Sequence, residues 1–582
     1  KARVAQVIRK SNNPPSTNTT PANWAAGNRN ILTYSSGATT SLTATIAGWT
    51  TDVFEWVTGK DNDTAQSDYL TPSATARVRA SIHGDVIHSR PLPVNYGDSG
   101  VTVFYGANDG MLRAVDATTG KERWAFVAPE HFAKFARLKD NTPPVAFDGF
   151  TAPPTPVTKD YFFDGRIALY QNGDNSSVWI YPSQRRGGRM LYGIDVTNAN
   201  SPQVRWRVGC PNAGNDTGCT TGFASMGQTW SMPTVALING RADPVIIVGG
   251  GYDSCEDANA SNPGCPTGRK GNAIFVLDAF TGAIVRRFDL PASDGGVAAD
   301  ISLADRNGDG YVDFAYAVTT GGAVYRVNFT DANYGTMISS SWGNRLIGYT
   351  RGGGRKFLNA PALMPSGTKM YVALGSGDRE KPLLSQYPYS APVSNRFYVL
   401  LDDVANPAAN PGAVDMDDVT KMKDYSSETT CTTDGVAPDS TYSGWFMTLP
   451  YRGEQTTTTA VAVAGMVTFS TNRPFTSAES SNMCTANLGE ARGYWLNILN
   501  ASGAIGVGNA TCGGSRATAF VQGGLVPSPT LVTVQIGDTI QTVALGAIQR
   551  SGGASSGIAP QAITPPIKAK RRTIYWRSKN AE

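Results

Sequence analysis

Short apolar segments separated by turn residues recur along most of the chain. The clearest group reads SRPLPV (89–94), VTVFYGANDG (101–110), MLRAVDATTG (111–120) and KERWAFV (121–127). Asn-Asp-Gly stands at one corner and Thr-Thr-Gly at the next, and such residues between β-prone runs are typical of tight turns. The segment therefore predicts four short strands joined by turns.

The same unit recurs about seven times along the sequence. Four-stranded units repeated around an axis form a β-propeller, which protects sheet edges by repetition. The repeated turns DATTG and DAFTG favour this fold over a β-sandwich or two stacked sheets. We therefore predict an all-β propeller with seven blades, whose further copies lie at 152–208, 231–290, 297–329, 359–403, 457–503 and from 528 onward, with RRTIYWRS (571–578) as a closing strand.

The pattern also predicts the domain organisation. Residues 1–80 lack the repeat, and only ATIAGWTTDVFEWV indicates a short helix, so we expect an N-terminal extension that links to a missing N-terminal region. Residues 81–582 form the predicted propeller. Long stretches rich in Gly, Pro, Asn, Ser and Thr predict insertions on its surface, where binding sites are usually carried; they lie at 129–150, 209–227, 252–270, 404–453 and 470–490. Because the chain begins at Lys1 without a signal peptide, we expect a fragment of a larger precursor.

Composition and charge exclude several classes of partner. Charged residues make up 16% of the 582, and the formal net charge of +4 is close to neutral for this length. No Lys/Arg cluster is interleaved with aromatic residues, as a nucleic-acid platform requires. No apolar stretch reaches the length that spans a bilayer. We therefore expect neither nucleic-acid binding nor a transmembrane segment.

The seven cysteines indicate an oxidising compartment. Cys210 with Cys219 and Cys255 with Cys265 form two close pairs in Gly/Asn/Pro-rich loops, which predicts local disulfides. A zinc site is disfavoured because C-x-x-C spacing is missing and the sequence contains three histidines. The connectivity of the remaining cysteines stays open; they are Cys431, Cys484 and Cys512.

One motif predicts a metal site. Alternate residues from Asp305 to Asp313 carry side-chain oxygens, with Gly310 at the sixth position and a backbone carbonyl available at the seventh. Calcium prefers six to eight such oxygen ligands, and a loop of this type turns every second side chain inward. We predict that Ca²⁺ is bound by Asp305, Asn307, Asp309, Tyr311 and Asp313.

The loop departs from an EF-hand at its twelfth position. Tyr316 stands where the bidentate Glu belongs and begins a strand, so Asp313 would have to close the site. The alternative is an acidic hairpin turn without a metal. Calcium is favoured because carboxylates crowded into nine residues repel one another in the absence of a cation.

Other acidic residues receive plainer interpretations. The clusters 61–63 and 415–418 lack the alternation with Gly and are predicted to be solvated loops. Asn108 and Asp109, Asp116, and Asp278 stand at strand ends, where such residues cap turns. We therefore predict no catalytic acid among them.

Four stretches resemble the C-terminal domains of the PilC/PilY family of type IV pilus proteins. They are HGDVIHSRPLPV (83–94), the sequence from GANDGMLRAVDATTG to AFVAPE, GGGYDS with NAIFVLDAFTGAIVRRFDL, and ADRNGDGYVDFAYAVTTGGAVYRVNF. Their order and the RTIYWRS ending match as well, so the resemblance covers roughly residues 50–582. It implies a modified seven-bladed, quinoprotein-dehydrogenase-like propeller with its calcium loop at 305–313.

The resemblance also implies a function. Family members act in pilus assembly, oppose retraction, support twitching motility and adhere to surfaces. The expected location is the periplasm, outer membrane and pilus tip of a Gram-negative bacterium, and the expected partners are pilins, minor pilins and the outer-membrane secretin. An Arg-Gly-Asp motif is absent, so integrin binding is not predicted.

Two alternative functions are open. The blade signature also resembles quinoprotein dehydrogenases, which would place pyrroloquinoline quinone beside a central calcium. The expected vicinal disulfide is missing, however, and the calcium motif lies between strands of one blade. The other alternative is a purely structural scaffold in which calcium staples a hairpin.

Overall fold

The computed structural model describes most of the chain between residues 29 and 562. The described residues are 29–62, 79, 82–146, 153–258, 265, 269–331, 333–351, 354–391, 393–404, 412–427, 441–463, 465–476, 479, 489–503, 514–520, 524–536, 539–545 and 561–562. They divide into two compact units. The first contains the residues up to Asp257 and those in 264–319 and 327–344, and the second contains the others.

The first sheet confirms the four strands predicted between 89 and 127. Its order is β2-β1-β6-β5-β4-β3. The hairpin of β1 and β2 comes from the segment assigned to the N-terminal extension, and β1 pairs in parallel with β6 through Ile31 and Ala125. The strands are β1 (Ile31–Ser35), β2 (Ala38–Ser41), β3 (Leu92–Asn95), β4 (Val101–Gly106), β5 (Met111–Asp116) and β6 (Glu122–Val127).

Two four-stranded sheets follow in the first unit, with orders β10-β9-β8-β7 and β11-β12-β13-β14. The copy predicted at 152–208 begins with a Pro-rich run in which residues 153–157 form no strand, and VWIYP within it forms β8. Proline lacks the N–H that a strand ladder needs, and Val157 makes just an isolated bridge to Val145. The strands are β7 (Ile167–Gln171), β8 (Val178–Pro182), β9 (Arg189–Asp195), β10 (Gln203–Cys210), β11 (Thr234–Ala236), β12 (Val245–Gly249), β13 (Ala273–Asp278) and β14 (Ile284–Asp289).

The helical elements are short. The predicted helix at ATIAGWTTDVFEWV is present as two pieces, because Gly48 takes a left-handed conformation after the first and Thr50 caps the second through a bond from Val53 N. The α-helices are α1 (Ala44–Ala47), α2 (Thr51–Thr58) and α3 (Phe135–Asp140). Single 3₁₀ turns lie at Gly97–Ser99, Pro129–Lys134, Ser254–Asp257, Ala292–Asp294 and Ser339–Ser341.

Four strands follow the third sheet along the chain. They are β15 (Ser302–Ala304), β16 (Phe314–Val318), β17 (Ala323–Asn328) and β18 (Gly343–Tyr349). β15 and β16 pair as an antiparallel hairpin in the first unit. The copy predicted at 297–329 ends before β18, because a turn-rich stretch separates β18 from β17.

The second unit continues the series of antiparallel sheets. The sheet orders are β19-β20-β21-β24-β23, β25-β27-β28-β29 with β26 on β27, and β30-β31-β32. β22 pairs in parallel with β18 through Val414 and Gly348, and β23 pairs in parallel with β24. The strands are β19 (Ala362–Ser366), β20 (Lys369–Gly375), β21 (Arg396–Asp403), β22 (Val414–Asp415), β23 (Lys423–Asp424), β24 (Gly444–Thr448), β25 (Gln455–Thr456), β26 (Val461–Val463), β27 (Met466–Arg473), β28 (Glu490–Asn497), β29 (Ala517–Ala519), β30 (Thr530–Ile536), β31 (Thr539–Leu545) and β32 (Gln561–Ala562).

Successive antiparallel sheets of this size are the arrangement of a β-propeller. The number of blades stays a prediction, and the proposed closing strand at 571–578 lies outside the described residues. The predicted insertion at 404–453 is partly wrong, because β22, β23 and β24 form inside it and extend two sheets.

The acidic cluster at 415–418 is not a solvated loop, contrary to the sequence-based prediction. Asp417 accepts hydrogen bonds from Arg355, Arg396 and the Tyr398 hydroxyl at 2.8–2.9 Å, and Asp415 is buried against Arg351. These ion pairs hold the segment that carries β22 against the rest of the second unit. The cluster thus has a structural role that charge spacing did not indicate.

Each unit has its own apolar core. In the first unit, buried residues from the facing sheets include Phe104, Trp124 and Tyr192. In the second, Phe397, Phe469 and Tyr494 stack face to face, with ring centroids 3.9 and 4.8 Å apart. Aromatic rings that stack in this way add to the stabilisation from burial.

Two buried lysines contact the same carboxylate in the second unit. Lys356 Nζ and Lys381 Nζ lie 3.2 and 3.3 Å from Asp378 Oδ2, and all three side chains are almost fully buried. Burial lowers the pKa of Lys381 below its usual range, the charge of Lys356 lowers it further, and Asp378 opposes the shift. This cluster buries more positive than negative groups.

We expect Lys381→Met to make stability less dependent on pH on the alkaline side. Because the folded pKa of Lys381 lies below its unfolded value, the unfolded chain binds more protons between these two values, and wild-type stability rises with pH across that window. The variant should lose this rise. Thermal unfolding measured from neutral pH to pH 10.5, with exposed Lys369→Met as a control, checks the prediction; parallel pH profiles of wild type and Lys381→Met would contradict it.

Candidate metal centre

The predicted calcium loop connects β15 to β16. Ala304 pairs with Phe314 in the hairpin register, and Asp313 N donates to Ala304 O at 2.9 Å. Residues 305–313 are therefore the loop of this hairpin, and its two ends are held next to each other by the pairing of β15 with β16. Tyr316 lies inside β16 and is buried, which confirms that a strand begins where an EF-hand would continue its loop.

Two bonds anchor the end of the loop to other parts of the first unit. Val312 N donates to Leu237 O at 2.9 Å, and Phe329 N donates to Asp313 O at 2.9 Å. Leu237 follows β11 and Phe329 follows β17, so both anchors come from distant segments. The last ligand position is thus fixed by the surrounding sheets.

The start of the loop folds around the Asp305 carboxylate. Its oxygens accept hydrogen bonds from Gly308 N at 2.6 Å and Gly310 N at 2.8 Å. Both glycines have positive φ, 77° and 90°, which residues with a Cβ rarely adopt. The two glycines therefore allow the chain to turn tightly enough for these bonds.

The next two predicted ligands also turn into the loop. Asn307 Oδ1 accepts from Asp309 N at 3.1 Å, and Asn307 Nδ2 donates to Asp309 Oδ2 at 2.9 Å. Asp309 Oδ1 accepts from Tyr311 N at 2.8 Å. The ring of Tyr311 is exposed, so its backbone carbonyl remains the group that it offers to an ion.

Asp313 is the buried member of the set. Its Oδ2 accepts from Arg306 N at 2.7 Å, while 4% of the residue is exposed. Burial raises the pKa of Asp313, two backbone N–H groups oppose the shift, and the nearby carboxylates of Asp309 and Asp305 add to it. A cation beside Asp313 would favour its charged form.

The donor set fits a hard cation. Asp305, Asn307, Asp309 and Asp313 offer carboxylate or amide oxygens, and Tyr311 offers a carbonyl, which matches the ligand preference of calcium. The three carboxylates do not all lie within 4.8 Å of one another among the described residues.

A second cluster brings three potential metal ligands close together but lacks free thiolates. Cys210, Asp216 and Cys219 have ligand atoms within 4.8 Å of one another. Cys210 and Cys219 are joined by a disulfide, as are Cys255 and Cys265, so both predicted pairs are confirmed. A disulfide sulfur is not a thiolate ligand. The other cysteines lie outside the described residues.

The predicted turn caps at Asp109, Asp116 and Asp278 are confirmed, and Asp109 accepts from Met111 N. The prediction for Asn108 is wrong, because its side chain bonds to Phe162 N and Asp164 instead of its own turn. Asp116 Oδ1 accepts from Thr118 N and Thr119 N, and Asp278 Oδ1 accepts from Phe280 N and Thr281 N. Each carboxylate also accepts the hydroxyl of the Thr three residues later. These bonds explain why the DATTG and DAFTG turns recur after apolar strands.

The sequence predicted the oxygen donors of the loop but not the backbone contacts that hold it. The carbonyl of Leu237 and the N–H of Phe329 hold the loop, yet both groups belong to the backbone and lie 75 and 16 residues from their partners. Any residue type can supply a backbone carbonyl, and nearly any can supply an N–H, so the sequence does not mark these two positions. The repeat pattern was the available signal, because loops at equivalent positions of neighbouring sheets lie at the same edge of the sheets.

Comparisons with known proteins identify relatives of the chain. Residues 96–341 match the family described as the PilY1 beta-propeller domain. The type IV pilus biogenesis factor PilY1 of Pseudomonas aeruginosa (strain PAK) is 29% identical over 305 residues, which is 46% of this chain and 23% of that protein. A PilY1 homolog of Xylella fastidiosa is 26% identical over 457 residues, 72% of this chain and 27% of the homolog. The chain therefore spans about a quarter of the length of these relatives.

Solved structures support the fold. The Pseudomonas aeruginosa PilY1 C-terminal domain aligns with 80% of this chain and 93% of its own length, at 19% identity and a TM-score of 0.50. Together with the matching family, this confirms the predicted all-β propeller. Quinohemoprotein alcohol dehydrogenase from Comamonas testosteroni aligns at 14% identity over 83% of this chain and 68% of its own, but its TM-score of 0.38 gives no argument about chemistry.

Helices in the described part of the chain are all too short or too polar to cross a membrane.

Proposed function

We propose that the chain acts in type IV pilus biogenesis, because residues 96–341 match the PilY1 beta-propeller domain and the curated relatives are PilY1 proteins. Since the chain spans a quarter of those relatives, the proposal concerns what the propeller contributes. That contribution is to hold a calcium-dependent loop on a rigid β scaffold.

We further propose that the loop at 305–313 binds one calcium ion. The single observation that carries this proposal is the loop's ligand geometry: oxygen donors at alternate positions on a hairpin that closes between Ala304 and Phe314. Asp305, Asn307, Asp309 and Asp313 would hold the ion with side-chain oxygens and Tyr311 with its carbonyl. The ion supplies the positive charge that three crowded carboxylates need.

The loop's own contacts suggest what calcium changes. Val312 is bonded to Leu237 and Asp313 to Phe329, so an ordered loop holds two neighbouring segments in fixed positions. If binding is weak enough to be reversible, the exposed surface beside Tyr311 changes with calcium and the site is regulatory. If binding is very tight, the ion is a permanent staple.

The wider role follows from the family and is part of the same proposal. We propose that the propeller supports pilus extension, opposes retraction and takes part in adhesion and twitching motility at the cell surface. Pilins, minor pilins and the outer-membrane secretin are the proposed partners. Its ligand on a host or abiotic surface is not assigned.

We propose a binding role, not an enzymatic one. The curated relatives are named as biogenesis factors, and the turn acids Asp116 and Asp278 are occupied by capping bonds. No observation in the described residues specifically favours the quinoprotein alternative. The affinity for calcium distinguishes the structural-scaffold alternative, because very tight binding indicates a permanent staple and reversible binding indicates a regulatory site.

The calcium proposal is tested by titration calorimetry of the chelator-treated chain. We expect one site in the wild type and at least a tenfold weaker affinity in Asp309→Ala, since removing a carboxylate deletes an ionic ligand. Asp174→Ala is the matched control, because Asp174 is also an exposed turn residue that accepts a backbone bond, from Ser176 N. It should bind calcium as the wild type does.

The possible results separate the interpretations. Calcium binding that Asp309→Ala leaves intact would overturn the assignment of the site to this loop. The absence of binding in the wild type would reduce the motif to an acidic turn, while the pilus role would then depend on family membership alone.

A further inference from the structure

A cavity of 430 Å³ lies in the first unit, far along the chain from the calcium loop. Its wall comes from α2, the segment 83–85, the turn between β4 and β5, α3 and residues 159–160. This volume is in the range of small-molecule sites. Its lining includes Trp56, Arg79, His83, Asp85, Asp109 and Lys159.

Two sequence motifs interlock to form the floor of the cavity. Gly84 N donates to Asp109 Oδ2 at 2.8 Å, and Asn108 N donates to Asp85 O at 2.9 Å. A Cβ on Gly84 would lie 2.6 Å from Asp109 N, so the motif requires a residue without a side chain there. The floor is therefore a built feature that depends on specific residues from both motifs.

A buried chain of ion pairs supports this floor. Arg113 binds Asp109 through two bonds of 2.7 and 2.9 Å and binds Glu122 at 3.1 Å, and Glu122 in turn binds Arg29 at 2.8 Å. Arg113 is completely buried. Burying charges costs free energy even when they are paired, so stability alone is a weak reason to place them here. They hold the Asp109 carboxylate and the Gly84 backbone in one position.

The charges around the cavity cancel. Lys159 is paired with Asp85 and Arg137 with Asp160, and both pairs are partly exposed at the wall. Arg79 and Asp109 complete a lining with three basic and three acidic side chains. Among the described residues, this lining offers many hydrogen-bonding groups and no net formal charge. It therefore suits a neutral, polar ligand better than an anion or a cation.

The wall also contains flat rings. His83 stacks on Tyr105 at 5.6 Å, and its nitrogens bond to Gly84 O at 2.7 Å and the Tyr105 hydroxyl at 2.8 Å. Burial and the charge of Arg113 lower the pKa of His83, while Asp109 and the Gly84 carbonyl oppose the shift, so the neutral ring is favoured. Trp56 lies beneath the guanidinium of Arg79, 3.8 Å from the ring centroid. The rings and the guanidinium are planar surfaces fixed in orientation by these contacts.

We propose that this cavity is a binding site for a neutral saccharide of one or two sugar units. Sugar hydroxyls both donate and accept hydrogen bonds, so they match an array of paired carboxylates and cations, and the flat faces of sugar rings pack on planar side chains. The Asp85–Lys159 pair contacts the hydroxyls, and His83 with the Arg79 guanidinium contacts the ring. This site is separate from the calcium loop and does not depend on it.

Saturation-transfer NMR of the chain with individual sugars tests the proposal. The probes are glucose, galactose, mannose, N-acetylglucosamine and N-acetylgalactosamine, with glucuronic acid and glycine as anionic and zwitterionic comparisons. We expect transfer to at least one neutral sugar. The double variant Asp85→Asn/Lys159→Met removes both charges of the pair together. It should lower the affinity for that sugar at least tenfold.

The control is Arg287→Met/Asp289→Asn, which removes a similarly exposed ion pair from β14. It should bind the sugar as the wild type does. Binding that persists in Asp85→Asn/Lys159→Met, transfer restricted to glucuronic acid or glycine, or no transfer to any probe would each overturn the proposal. Calcium titration of the same variants should be unchanged, which keeps this test independent of the calcium loop.

Discussion

Replacement of Arg113 by methionine is expected to lower the free energy of unfolding of the first unit by about 3–5 kcal/mol. Arg113 is fully buried and donates to Asp109 and Glu122, so its removal leaves buried negative charge without its main partner. Glu122 retains Arg29, but Asp109 keeps just weaker neutral donors such as Gly84 N. The loss therefore falls mainly on Asp109.

Urea unfolding followed by fluorescence and calorimetry gives the measurement for Arg113→Met. Arg287→Met is the matched control, because Arg287 also pairs with an aspartate but is exposed, and exposed pairs contribute about 0–1 kcal/mol. A third variant, Arg113→Met with Asp109→Leu, should recover part of the loss because it removes the stranded carboxylate. Equal stability of Arg113→Met and Arg287→Met would refute the proposed role of the ion-pair chain.

Replacement of Phe469 by alanine should destabilise the second unit by about 3–5 kcal/mol. Phe469 is fully buried and stacks between Phe397 and Tyr494, with centroid distances of 3.9 and 4.8 Å. Removing the middle ring deletes both stacking contacts and leaves a cavity that the flanking strands cannot close, because β27 is paired on both sides.

Differential scanning calorimetry separates the effect on the second unit from the first when two transitions are resolved. Phe469→Leu is the control, since it keeps apolar volume while removing the stacked ring, and it should cost less than half as much as the alanine variant. A shift of the transition by less than a degree in Phe469→Ala would show that the stack does not stabilise this core.

The alternation of apolar runs and turns was sufficient to predict the sheets near the start of the chain. VTVFYG and MLRAVD became β4 and β5 because both runs are largely apolar and each is followed by a turn that a Gly completes; VTVFYG is also rich in β-branched and aromatic residues. The loop at 305–313 was predicted for a similar reason. Its proposed ligands are close together in the sequence, so their spacing was enough for the prediction.

Features that depend on distant partners were not predictable in the same way. β18 and β24 complete their sheets after long intervening stretches, and their local sequences do not show which strand they will join. The sequence indicated a solvated Asp417 because no partner lies near it in the chain. Its partners are residues 355, 396 and 398, which the fold brings to it. Likewise, the cavity combines α2, α3 and two turns, so its members share no motif.

The parallel pairing of β1 with β6 has a consequence for the order in which the protein is made. Thr33 of β1 bonds to Val127 of β6, 94 residues later in the chain. At a synthesis rate of about 5–20 residues per second, β1 leaves the ribosome roughly 5–20 s before its partner strand exists. During that interval Ile31-Leu32-Thr33-Tyr34 is an apolar strand with one neighbour, β2, and an open edge. Until β6 is made, this edge is a site at which two newly made chains can pair, and completion of the first sheet removes it.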